Sequence, residues 1–115
     1  MNLSKPEREA LFLGIEDLSG LWELTWEDSF SSLPGDERIT LARRVIESLL
    51  NRGLVRLVRA RDPGNRPVEE LEQEEWQRAL ADPQSWEEPG PQSGPITVRF
   101  ETTAAGEAAY QVQDD

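Results

Sequence analysis

The hydrophobic period of the chain changes within a few residues near its middle, and that change constrains the fold. Ala42, Val45, Ile46, Leu49 and Leu50 recur at helical spacing, which marks one apolar face of a helix. Asp36 is placed to cap its start, and Gly53 sits where a helix C-terminus favours glycine. Directly afterwards Leu54 to Arg61 alternates as a strand, and Asp62-Pro63-Gly64-Asn65 has strong turn chemistry. The pattern predicts an α+β fold in which a helix runs straight into a hairpin.

The flanks extend that reading. Ser4-Lys5-Pro6-Glu7 has the spacing of a capping box, with proline tolerated in a first turn. Behind it Leu11, Phe12, Ile15 and Leu18 form an amphipathic stripe, interrupted by Ser19-Gly20. Leu21, Trp22, Trp26 and Phe30 resume helical spacing, so a second short helix is expected, with both tryptophans filling the core. Ser31 to Asp36, containing Pro34-Gly35, reads as a turn. Glu69 to Ala81 looks helical, and Asp82-Pro83 ends it. Prolines 83, 89, 91 and 95 then suit an irregular loop. Ile96, Val98 and Phe100 alternate as a second strand, and Thr102 or Thr103 caps a short final helix through Tyr110. Ile, Leu, Val and Phe number 27 of 115 residues and four tryptophans join them, enough for one domain with a modest core.

Charge is distributed unevenly. The net −11 is made of −7 over residues 1–37, +6 over 38–67, −7 over 68–95 and −3 over 96–115. An island of eight arginines therefore lies between acidic flanks. Arginine is the cation suited to bidentate contact with phosphate or carboxylate. Carboxylates folded against the island are an equally ready use for it. The sequence also narrows the chemistry. Without cysteine there is no disulfide, thiolate nucleophile, cysteine-based zinc site or iron–sulfur cluster. Without histidine there is no Ser–His triad. No apolar run approaches the ~20 residues of a membrane span, and a charged N-terminus lacks the apolar core of a secretory signal. A cytoplasmic protein without membrane contact is expected.

Three segments resemble one family. Arg44 to Val55, read as Arg-Val-Ile-Glu-Ser-Leu-Leu-Asn-Arg-Gly-Leu-Val, is similar to the recognition helix and first wing strand of MarR-like regulators. Asp62 to Arg66 resembles their Asp-Pro-x-Asp-Arg wing tip. Val98 to Ala108 resembles their strand followed by Leu-Thr-x-x-Gly. The resemblance implies a single winged helix-turn-helix domain over residues 1–115: three helices, a two- or three-stranded antiparallel wing and a short C-terminal helix. Residues 69–95 would then be an acidic helical and proline-rich insert between the wing strands. It also implies that Thr40, Arg43 and Arg44 face a DNA major groove, while Arg61 and Arg66 reach phosphate or the minor groove.

The chain departs from that pattern in ways that bear on function. The insert carries −7 beside the wing, where it would repel phosphate unless it folds to the opposite side. Glu47 lies in the middle of the presumed contact stripe. The chain also lacks the long C-terminal helix through which such regulators dimerise. The expectation is a non-catalytic winged-helix module that binds a macromolecule, a protein partner ahead of DNA, with a MarR-like DNA-binding regulator as the alternative. The contact surface would draw on Thr40, Arg43, Arg44, Glu47, Arg59, Arg61 and Arg66, with Trp76 and Trp86 as candidate partner anchors. For Trp86 the competing use is pinning the insert to the domain. Glu69, Glu70, Glu72, Glu74 and Glu75 lack a calcium-loop pattern and suit a helix's first turns without any ligand. No metal, cofactor or catalytic residue is expected, because no nucleophile, phosphate loop or metal motif accompanies the carboxylates.

Overall fold

The computed structural model describes residues 3–61, 66–89 and 96–112, with residues 66–68 described by backbone alone. The proposed turn at Asp62–Asn65 and the prolines at 91 and 95 lie outside the described residues. Helix α1 spans Lys5–Glu16 and opens with a capping box: the Glu7 amide donates to Ser4 Oγ at 3.3 Å, and the Ser4 amide donates to Glu7 Oε1 at 2.8 Å. Two otherwise orphaned donors are thereby satisfied. The helix buries Ala10, Leu11 and Gly14. Phe12, expected on the apolar stripe, is 43% exposed and lies against Tyr110.

The Ser19-Gly20 interruption is itself a strand, β1 (Ser19–Gly20). The single second helix expected over Leu21–Phe30 is two, α2 (Leu21–Leu24) and α3 (Asp28–Ser31). The break has a local cause. Thr25 Oγ1 donates to the Trp22 carbonyl at 2.6 Å, a side-chain bond that competes with helix continuation, and Glu27 is extended. Beyond the break the helical spacing no longer holds, so Trp22 is buried but Trp26 is 54% exposed, contrary to its expected place in the core.

Helix α4 (Gly35–Asn51) buries Ala42, Val45, Ile46, Leu49 and Leu50, the face read from the sequence. Its N-cap is Pro34, with Asp36 in the first turn rather than capping. Gly53 closes it at φ 71°, a left-handed position that glycine adopts without a Cβ penalty. Strands β2 (Val55–Arg61), β3 (Arg66–Glu70) and β4 (Ile96–Thr102) join β1 in an antiparallel sheet of order β1-β4-β2-β3. Four strands replace the two or three expected. Part of the presumed insert is thus an edge strand, and Pro67 within it is tolerated because an edge leaves one row of donors unused. Leu57 faces Phe100 across the β2–β4 pair, and both are fully buried. Helix α6 (Ala104–Gln111) is capped by Thr103, whose hydroxyl accepts from the Gly106 amide at 3.1 Å.

Between β3 and β4 lie α5 (Gln73–Ala81) and a 3-10 turn, Pro83–Trp86. The helix starts later than the expected Glu69. Leu71, Leu80 and Trp86 enter the same core cluster as Val45, Ile46 and Leu57. The Trp86 indole N–H donates to the Leu80 carbonyl at 2.9 Å, and the Ser85 hydroxyl to that of Ala79 at 2.7 Å. Burial of such side chains contributes about 1.5–3 kcal/mol each, so the insert is part of the domain's interior. None of the described helices is long and apolar enough to cross a membrane.

Candidate functional site

The arginine island maps onto α4 and β2, and the insert lies against it. On α4, Thr40 is exposed and its hydroxyl donates back to the Asp36 carbonyl at 2.9 Å. Arg43 donates through Nε to Glu47 Oε1 at 2.8 Å, and through a terminal nitrogen to Gln77 Oε1 on α5, also at 2.8 Å. Glu47, which reads from the sequence as an obstacle in a contact stripe, is therefore a partner of Arg43 one turn away. Arg44 is exposed and makes no ion pair among the described residues.

The β2 arginines are more fully engaged. Arg56 pairs with Glu70 at 3.0 Å and with Glu101 on the facing strand. Arg59 pairs with Glu69 at 2.7 Å and with Glu75 at 3.0 Å. The hydrogen bond from Arg56 to Glu101, opposed by partial burial, holds that guanidinium above its ordinary pKa. The bond from Arg59 to Glu75 does the same there. Glu75 is held below the usual carboxylate range first by the Glu72 amide and then by Arg59. Ion pairs this accessible add little to the stability of a fold. Their consequence is chiefly electrostatic: three of the four carboxylates come from residues 69–75.

Two further arginines of the island have structural duties. Arg38 donates to the carbonyls of Ser31 and Leu33 at 3.1 and 2.9 Å, tying down the turn before α4. Arg52 pairs with Glu7 of α1, and Ser48 Oγ donates to the same carboxylate at 3.1 Å. Arg61 is exposed without an ion pair among the described residues. The Arg66 backbone belongs to β3, and its side chain lies outside the described residues.

Helix α4 and the insert enclose a groove. Ile39, Thr40, Arg43, Arg44 and Glu47 form one wall; Leu80, Ala81, Pro83 and Trp86 form the other. Leu80 and Trp86 in this lining are buried, whereas Ile39 and Arg44 are exposed. Of the two candidate anchors, Trp86 is 6% exposed and packed into the core, so it pins the insert. Trp76 is half-buried and donates to the Leu71 carbonyl at 3.3 Å.

The sequence pattern missed Gln77 and Ile39. Gln77 carries no charge within an acidic stretch, and Ile39, although spaced three residues before Ala42 and seven before Ile46, is 37% exposed in the second turn of α4, which the period alone does not register. Elsewhere, Arg99 is buried with its guanidinium 5.0 Å from the Trp22 ring and donates to the Leu18 carbonyl at 3.3 Å. It braces the sheet against α2 and presents little to solvent. No family model, curated protein or solved structure matches the chain.

Proposed function

We propose that the chain is a small non-catalytic winged-helix module that acts by binding a protein, through the groove between α4 and the insert. The element order supports the winged-helix reading: helices leading to α4, a strand entering an antiparallel sheet, and a short terminal helix after β4. One observation carries the choice of partner. Arg43, Arg56 and Arg59 already hold acceptors supplied by the chain itself, and α5 stands within hydrogen-bonding distance of the α4 face. A DNA duplex laid on that face would meet α5 first. A groove lined by exposed Ile39 and by Leu80, Pro83 and Trp86 together with Arg43, Arg44 and Glu47 suits a protein segment instead, because protein interfaces combine apolar contacts with polar ones.

The test pairs affinity capture from the source cytosol with a groove variant. The intact chain is expected to retain a defined protein that Ile39→Asp with Arg44→Glu loses, while both baits show the same circular dichroism. Recovery of nucleic acid alone, or equal recovery of the protein by both baits, overturns the reading.

The alternative is a MarR-like DNA reader using Thr40, Arg43, Arg44, Arg61 and Arg66. It is favoured by Arg44 and Arg61, both exposed without an ion pair among the described residues. Such a reader would bind duplex with an affinity that falls steeply as salt rises.

A further inference from the structure

Two energetic facts about the insert point in different directions. Its attachment is apolar and through the backbone: Leu71, Leu80 and Trp86 are buried in the main core, and Glu69 and Glu70 pair with β2. Its ionic contacts, by contrast, lie at the surface, with the side chains of Glu69 and Glu70 both more than half exposed. Ion pairs so open to water contribute little to holding a segment in place. The carboxylates are not needed to dock the insert. The docked insert nevertheless delivers Glu69 and Glu75 to Arg59, and Glu70 to Arg56.

A guanidinium presents the same fork of donors to a carboxylate and to a phosphate. Arg56 and Arg59 each hold two carboxylates, and Arg43 holds Glu47 and Gln77. We infer that the acidic insert is a built-in competitor, its carboxylates occupying arginines that would otherwise take the phosphate chain of a nucleic acid. This inference is independent of the protein-partner reading, because it concerns what the arginine face does once its internal anions are removed.

The experiment compares three full-length proteins on mixed-sequence duplex DNA. In the first variant Glu69→Gln, Glu70→Gln and Glu75→Gln remove the insert's anions, which frees Arg59 of both its carboxylates and leaves Arg56 with Glu101 alone. Glutamine at 75 retains a side-chain acceptor for the Glu72 amide. The control replaces Glu16, Glu87 and Glu107 by Gln. All three are exposed and remote from Arg56 and Arg59 in the ion-pair pattern. Both variants are three units less acidic than the parent at −11.

Release of Arg59 onto phosphate corresponds to tightening on the order of tenfold at ~50 mM salt, a gain that shrinks roughly threefold between ~50 and ~200 mM. That is expected for the first variant and not for the control. Equal behaviour of the two variants overturns the inference. So does tightening that persists after Arg56→Gln and Arg59→Gln are added. If the triple variant loses cooperative thermal unfolding, Glu69→Gln with Glu70→Gln decides. Both positions are exposed and each arginine keeps one carboxylate, Glu101 or Glu75, so the expected gain is roughly threefold. No gain in that folded double variant overturns the inference as well.

Discussion

Glu7 ties the first helix to the fourth. Its carboxylate accepts from the Ser4 amide, from Ser48 Oγ and from Arg52, joining the start of α1 to the end of α4. Burial alone would push its pKa up. The Ser4 hydrogen bonds, Arg52 and Ser48 outweigh that and hold it below the ordinary carboxylate value. An acid whose folded pKa is depressed contributes stability at pH values above its unfolded pKa, and loses it as pH falls through the folded value. Glu7→Gln keeps an acceptor at the third helical position but removes the charge. It is expected to cost about 1–2 kcal/mol at pH 7. The gap from the parent should close in acid, as pH falls through the lowered folded value. Urea unfolding at neutral and at acid pH checks this. An equal cost at both would assign Glu7 a role in packing and not in charge. None of this convergence is visible in the sequence beyond the Ser4–Glu7 spacing, because Arg52 and Ser48 lie more than forty residues away.

At the scale of elements, legibility followed length and locality. Helix α4 has 17 residues, and its apolar stripe repeats often enough for every core position to be read directly. Strand β1 has two residues, and its partners Phe100 and Arg99 lie some eighty positions downstream, so no periodic signal exists to find. The α2–α3 break rests on one Thr25 hydroxyl turning to a carbonyl, which helical spacing alone does not register. Strand β3 was masked by Glu69 and Glu70, whose charge reads as a helix start when its pairing with β2 is unknown. The insert carries the sharpest prediction at this scale. Trp86→Ala removes a buried indole and its hydrogen bond to Leu80, and is expected to cost about 3–5 kcal/mol in chemical denaturation. An exposed partner anchor at that position would cost within about 0.5 kcal/mol. A value that small would show that the insert is held by something other than Trp86.

For the whole molecule, the net −11 conceals an arrangement and not a uniform field. The island of arginine was legible from counting charges along the chain. Which carboxylates meet it was not, since that depends on the β2–β3 register and on where apolar burial sets α5. Once folded, Arg56 and Arg59 each face two acids, Arg43 is held across the groove, and Arg52 is committed to α1. The same register that places Glu69 opposite Arg59 in β3 thereby converts a basic stretch of sequence into a nearly compensated surface. What stays open is the groove lined by Ile39 and Arg44.

Gel retardation of mixed-sequence duplex DNA by the unmodified chain at about 50 mM salt tests that compensation most directly. With Arg43, Arg56 and Arg59 held internally, the chain is predicted to give no shift at micromolar concentration. A shift that weakens as salt is raised, and that Arg43→Glu with Arg44→Glu removes from a folded protein, would contradict the account and establish the α4 face as a nucleic-acid surface.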